Sequence, residues 1–153
     1  MEPVLPDEEL LEELETTMGD PEATEAGPDE PEPIEEGPEA PGALLVALCK
    51  KAENHFGLHI GECDAPGAPD RWGPVHHVHA THSLHYAHRA ADISGLSQSM
   101  IRFTRWVARN HTPQLAELIH NPGGSIKNRQ VVNPTFWGTT TWNAHKDHVH
   151  LAI

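Results

Sequence analysis

The clearest indication of the fold lies in Asp147-His148-Val149-His150-Leu151-Ala152-Ile153. Apolar and polar side chains alternate along it, and successive side chains of a β-strand point to opposite faces. The pattern therefore predicts a strand with Val149, Leu151 and Ile153 facing a core. His148 and His150 would project together from the other face. Two imidazoles on one face can point into a single site, although a polar, solvent-facing side of a strand gives the same pattern.

Periodicity elsewhere in the chain predicts that this strand belongs to an α+β domain. Apolar residues at helical spacing predict two helices, over residues 43–55 and 96–110. Gly57 would end the first helix and Ser94 would cap the second. We expect a small antiparallel sheet with these helices on its flank. The other predicted elements are strands at 58–60, 75–80, 116–119 and 130–132, and a loop over 63–72.

Charge and proline content divide the chain into two parts. Of the 23 acidic residues, 16 lie in residues 1–42, which hold eight of the 14 prolines and no Lys, Arg or His. Such a segment buries too little apolar surface to offset the entropy of ordering it. We therefore expect a disordered acidic tail over 1–42, followed by a domain over 43–153. Residues 7–14 carry leucines at helical spacing, which indicates either a transient turn of helix or a short helix that docks on a partner.

The composition of residues 43–153 excludes several classes of protein. This part holds all ten basic residues against seven acidic ones, and all 13 histidines. No apolar run approaches the length of a membrane span, so we expect no membrane insertion, and we expect no nucleic-acid partner. The N-terminus lacks the basic and apolar regions of a signal peptide, which predicts a protein made and kept in the cytoplasm. Cys49 and Cys63 are then expected to be free thiols.

A second group of candidate metal ligands lies upstream of the final strand. It falls in Ser83-Leu84-His85-Tyr86-Ala87-His88-Arg89-Ala90-Ala91-Asp92. His85 and Asp92, with a distant histidine, offer three nitrogen and oxygen ligands that suit zinc, and a catalytic zinc site keeps a fourth position open. The same set admits other divalent ions. Four more histidines either line a polar cleft or form a second metal site: His76, His77, His79 and His82.

The two motifs together resemble zinc peptidases of the D-Ala-D-Ala carboxypeptidase type, a group related to lysostaphin-like enzymes and the zinc domain of hedgehog proteins. The pattern SxHxxGxAxD and a late acidic-x-x-His carry the resemblance, which covers roughly residues 58–153. It implies that His85, Asp92 and His150 are the ligands of one catalytic Zn²⁺ ion. It also implies that Asp147 or His148 is the base or a transition-state stabiliser. Further groups around the substrate or the ligands are Ser83, Arg89, His88 and His145.

Two positions depart from the pattern of the resemblance. His88 stands where the family has Gly, and a positive φ angle there would carry a cost for a residue with a Cβ. Asp147 stands where the family has Glu. Strict alternation would turn Asp147 away from His150, so a bend would be needed to aim it at the metal.

The resemblance implies a zinc-dependent peptidase that hydrolyses a peptide bond of bacterial peptidoglycan. Phage endolysins commonly carry such domains, and a lysin without a signal peptide would reach the wall after holin release or lysis, or as part of a phage particle. A zinc-containing binding module without turnover is the main alternative, and a histidine-rich metal store is a weaker one. Trp137 and Trp142 are expected to be core or rim aromatics, with stacking on a glycan or peptide as the alternative.

Overall fold

The computed structural model describes residues 30–34, 41–74, 84–85 and 88–153. Contacts between residues divide the chain after Glu30, and all the described helices and strands belong to the unit Pro31–Ile153. Several predictions fall outside the described residues: the helix at 7–14, the strand at 75–80, Ser83, and the four histidines at 76, 77, 79 and 82. The disorder of the acidic tail likewise stays a prediction.

The described residues form an α+β fold with an antiparallel sheet, as the sequence predicts. The sheet has six described strands in the order β1-β2-β6-β3-β4-β5, with every neighbouring pair antiparallel. The helices are α1 (Pro41–Phe56), α2 (Ser97–His111) and α3 (Thr139–Ala144), with 3₁₀ turns at Thr112–Gln114 and Pro134–Trp137. The strands are β1 (His59–Glu62), β2 (Ala90–Ser94), β3 (Glu117–His120), β4 (Gly124–Lys127), β5 (Gln130–Val131) and β6 (Val149–Ala152).

Most of the predicted elements are confirmed within one or two residues. Gly57 follows α1 with a φ of 66°, the left-handed conformation that ends helices. The predicted cap of α2 is wrong, because Ser94 is the last residue of β2 and pairs with His59. A capping residue must directly precede the first helical residue, and here Leu96 takes that position without a side-chain cap. The sequence analysis did not predict β2 or β4.

One face of the sheet is apolar and lies against the two long helices. α1 packs on β1 and β2, and α2 packs on β3 and β4. The two helices meet through three rings: the Phe56 and Phe103 centroids lie 5.4 Å apart, and Trp106 lies 5.9 Å from Phe56. Burial of these rings and of the sheet residues beneath them supplies the main stabilisation of the domain. Those sheet residues include Ile60, Ile93, Leu118, Ile126 and Leu151.

Residues 31–34, in the segment predicted as tail, contact α2. The Trp106 indole Nε1 donates to the Pro31 carbonyl at 2.9 Å, and the Ile34 amide donates to His111 Nε2 at 3.2 Å. The boundary at residue 42 stays a prediction, but Pro31 and Ile34 lie against the domain. None of the helices in the described part of the chain is long and apolar enough to cross a membrane.

Candidate metal centre

Antiparallel pairing sets two of the predicted ligands side by side. Asp92 on β2 is the Cα partner of His150 on β6, and directly opposed residues of an antiparallel pair project from the same face. Their neighbours Ala91 and Leu151 are completely buried in the core. Asp92 and His150 therefore lie on the face of the sheet opposite to α1 and α2.

The alternation predicted for the last strand is confirmed for its core side. Val149, Leu151 and Ile153 are buried. His148 lies just before the first residue of β6, so His150 is the histidine that the strand itself holds. A bend at residues 146–147 precedes His148.

The third ligand, His85, comes from a turn before β2. The His88 amide donates to the His85 carbonyl at 3.0 Å, and the Arg89 amide donates to the Leu84 carbonyl at 3.0 Å. His88 has a φ of 60°, which lies in the left-handed region that favours Gly. A residue with a Cβ is strained there. The strained residue therefore closes the turn that presents His85.

The three predicted ligands converge on one group. The atoms that they offer all lie within 4.8 Å of one another. His85 Nε2 lies 3.3 Å from Asp92 Oδ1, and His150 Nδ1 lies 3.6 Å from the same oxygen. His85 is 1 % exposed and His150 is 8 % exposed. The group can hold a metal ion, as the sequence predicts for these residues.

Two glutamates that sequence reasoning missed lie behind the ligands. Glu62 Oε1 lies 2.8 Å from His85 Nδ1, and the His150 imidazole donates from Nε2 to Glu117 Oε1 at 2.7 Å. Lys127 donates to the second oxygen of Glu117 at 2.6 Å. Glu117 was visible in the sequence as a single acid inside a predicted apolar strand, whereas Glu62 falls between a predicted strand and a predicted loop and gives no such signal.

Charge interactions inside the group are strong because it is shielded from water. Burial acts to lower the pKa of His150, but contacts with Asp92 and Glu117 raise it to about 9. Burial acts to raise the pKa of Asp92, yet contacts with His150 and His85 hold it well below its ordinary value. Burial also acts to raise the pKa of Glu117, and His150 and Lys127 lower it to about 2. The site therefore favours negative carboxylates around a positive charge.

The donor set fits a divalent cation. Two imidazole nitrogens and one carboxylate oxygen are ligands that zinc and several other divalent ions accept. A cation among the three ligands would supply the positive charge that the carboxylates favour. This chemistry does not by itself identify the metal.

Two more histidines lie beside the ligand group. The His145 ring centroid lies 6.1 Å from that of His150 and 4.6 Å from that of His148. His145 donates from Nδ1 to the Thr141 carbonyl at 2.7 Å, which leaves Nε2 as an acceptor in the neutral ring. Burial lowers the pKa of His145, and the neighbouring His148 acts in the same direction.

Asp147 lies at the surface, and its side chain is 89 % exposed. Its Oδ1 accepts from His148 Nδ1 at 2.8 Å. That contact lowers the pKa of Asp147 below its ordinary value. The bend before β6 thus directs Asp147 to His148.

The remaining predicted site residues lie in varied surroundings. His88 is exposed, and its Nδ1 lies 2.9 Å from Asp64 Oδ1. Arg89 donates from Nε to the Ile153 carbonyl at 2.8 Å, so it fastens the end of β6 to the segment before β2. Trp137 and Trp142 are half-buried, as rim aromatics are. The substrate roles of His88 and Arg89 stay predictions.

Comparison of the chain with family models, with curated proteins and with solved structures gives no match.

Proposed function

We propose that the protein is a zinc-dependent peptidase that hydrolyses a peptide bond of bacterial peptidoglycan, as a phage-encoded endolysin or cell-wall hydrolase. The observation that carries the proposal is the convergence of two motifs that lie far apart in the chain. His85 and Asp92 come from one motif and His150 from the other, and their ligand atoms lie within 4.8 Å of one another. This arrangement supports the resemblance, because motif order alone does not bring the residues together.

In the proposed site, the metal ion and the side chains of the protein have different catalytic functions. A zinc ion held by His85, Asp92 and His150 would supply Lewis-acid chemistry to the attacking water and to the carbonyl of the scissile peptide bond. The residues of the chain hold the ion, accept a proton from the attacking water and deliver it to the leaving amine.

We assign proton transfer to His148, with Asp147 orienting it. The Asp147 carboxylate accepts from His148 Nδ1, so Nε2 of the neutral ring is left to take a proton. An imidazole oriented by a carboxylate is a recurring arrangement for a general base. Asp147 itself is highly exposed, which favours a role through His148.

His145 is proposed to position the substrate. Its Nδ1 is engaged by the Thr141 carbonyl, so Nε2 is free to accept a hydrogen bond from a peptide N–H. The Asn121 amide donates to the His145 carbonyl at 2.9 Å, which fixes the backbone at this point. A fixed imidazole beside the ligand group suits the orientation of a peptide.

The proposed wall substrate also agrees with the charge of the domain. Residues 43–153 carry ten basic residues against seven acidic ones, with the histidines in addition. A weakly basic domain approaches anionic wall polymers more readily than a neutral one. Access to the wall would come after holin release or lysis, or from a phage particle.

The test of the proposal is release of peptide fragments from purified bacterial cell wall. The zinc-loaded wild type is compared with His150→Ala, His148→Ala and Asp147→Ala, and fragments are identified by mass. We expect fragments from the wild type, none from His150→Ala, and a rate at least about 100-fold lower for His148→Ala. His55→Ala is the matched control, because His55 is exposed on α1.

Equal fragment yields from all these variants would overturn the peptidase proposal. The fragment masses also identify the bond that is cut. A zinc-containing wall-binding module is the second candidate, and the exposed position of Asp147 favours it. It predicts one zinc ion per chain and wall binding without any fragments.

A further inference from the structure

We propose that Glu62 and Glu117 are positioning residues that fix the two ligand imidazoles so that His85 binds the metal through Nε2 and His150 through Nδ1. The inference rests on the metal centre of the proposed function, but not on hydrolysis. Both glutamates lie outside the two sequence motifs that supply the ligands.

The contact between Glu117 and His150 determines which nitrogen of His150 is available. A carboxylate can only accept, so His150 donates from Nε2 to Glu117 Oε1. The lone pair of the neutral ring then lies on Nδ1, the atom that faces Asp92 at 3.6 Å. Lys127 on β4 donates to the other oxygen of Glu117. This contact fixes the Glu117 carboxylate, which in turn fixes the orientation of the His150 ring.

At His85 the nitrogen close to a glutamate is Nδ1 rather than Nε2. Its Nδ1 lies 2.8 Å from Glu62 Oε1, and its Nε2 lies 3.3 Å from Asp92 Oδ1. Glu62 is 4 % exposed, and a carboxylate shielded to this degree needs a donor or a cation beside it. The two imidazoles therefore present different nitrogens to the same oxygen of Asp92.

The sheet register explains why both glutamates reach the site. Glu62 on β1 is the Cα partner of Asp92, and Asp92 is the partner of His150. This row of three residues crosses adjacent strands on one face. Glu117 lies on β3, two residues before Ile119, which is the partner of His150. Backbone pairing therefore places both glutamates, the outer carboxylates of the group, on the same face of the sheet as Asp92 and His150.

The charges around the group favour a cation. Asp92, Glu62 and Glu117 contribute three carboxylates, and Lys127 contributes one ammonium group. Outer carboxylates raise the basicity of ligand imidazoles and fix their orientation, and their loss typically weakens metal binding 10- to 100-fold.

The experiment measures zinc affinity by competition with a chelator for the full chain and its variants Glu62→Gln and Glu117→Gln. The amide keeps the shape of each side chain but removes its charge. We expect each variant to bind zinc about 10- to 100-fold more weakly than the wild type. Glu53→Gln is the matched control. Glu53 lies on α1 and contacts Arg71 and Trp72 of the loop after β1, so this variant is expected to leave zinc affinity unchanged.

NMR of the ¹¹³Cd-loaded protein, with its histidines labelled with ¹⁵N, gives a second measurement that does not depend on affinity. Coupling of the metal to His85 Nε2 and His150 Nδ1 is expected in the wild type. Coupling through the other nitrogen of either ring would overturn the proposal, and so would wild-type affinity in both glutamine variants. Circular dichroism of each variant shows whether a weakened site reflects unfolding.

The outcomes separate this inference from the proposed function. A wild type that binds zinc with the expected nitrogens and releases no wall fragments would contradict the peptidase and leave the role of the glutamates standing. A wild type that binds neither zinc nor cadmium would overturn the inference itself.

Discussion

The two faces of the sheet are built from the same strands but differ in what they bury. The face toward α1 and α2 buries Ile93, Leu118 and Leu151, and the other face carries Asp92 and His150. A buried apolar side chain stabilises the fold without needing a specific partner, whereas a buried charge is stable only when it is paired. The comparison shows that one face holds the strands in register and the other uses that register to assemble ligands.

The largest effect is expected from truncating the apolar face. Leu151→Ala removes a completely buried side chain next to His150, and such changes lower the free energy of unfolding by about 2–5 kcal/mol. Urea denaturation of the metal-free protein measures this loss. Zinc affinity of the folded fraction should stay within about threefold of the wild type, because the ligand face is unchanged. A much larger loss of affinity would show that the two faces are not independent.

The ligand face should respond to pH in a way that the apolar face does not. The pKa of His150 is raised to about 9 without metal, so zinc must displace a proton from this ring below that pH. Apparent zinc affinity should therefore rise about tenfold per pH unit, or about 100-fold from pH 6 to pH 8. Chelator competition at several pH values measures the slope, and a flat profile would contradict the protonated state of His150.

The stability of the metal-free protein should follow the opposite trend. A raised pKa means that the protonated His150 stabilises the fold fully below its ordinary value of 6.5, and that this contribution is lost as the pH rises towards 9. Glu117 contributes in a separate range, because its lowered pKa makes its contribution disappear as the pH falls from 4.5 towards 2. Urea denaturation between pH 6.5 and pH 9 isolates the His150 contribution.

The smallest effect is expected at the turn that delivers His85. His88 has a φ of 60°, which costs a residue with a Cβ about 1 kcal/mol or more. We expect His88→Gly to be more stable than His88→Ala by about 1 kcal/mol, since both variants lose the same imidazole. Thermal denaturation of the pair measures the difference. Equal stability of the two variants would show that the backbone conformation of residue 88 carries no cost for a side chain.

The ligand residues were predictable from sequence because their order and spacing carry the information. His85, Asp92 and His150 are the three residues that the resemblance implies, and the structure brings them together. The core side of β6 was predictable for a different reason, since alternation at a period of two reports the face of a strand directly. β2 is absent from the sequence predictions, because residues 90–92 are interpreted there as part of a ligand motif and Ser94 as a helix cap.

Of the two glutamates behind the ligands, Glu117 gives a weak signal in the sequence and Glu62 gives none. Glu62 lies at the end of a strand with an irregular register between Ile60 and Glu62, and no periodicity predicts which face follows such an irregularity. The direction of the Asp147 side chain was also not predictable, because the bend before β6 breaks the alternation that a strand would impose. Its carboxylate contacts His148, a pairing that depends on the local backbone.

The α+β class and the apolar side of β6 followed from the sequence, because they depend on residue type and on short-range periodicity. The three residues that can hold a metal ion followed from the order and spacing of two motifs. Tertiary structure decided which nitrogen of each imidazole faces Asp92 and which glutamate lies behind it. Those choices depend on strand register, and register is fixed by the packing of the whole sheet against its helices rather than by any local stretch of the chain.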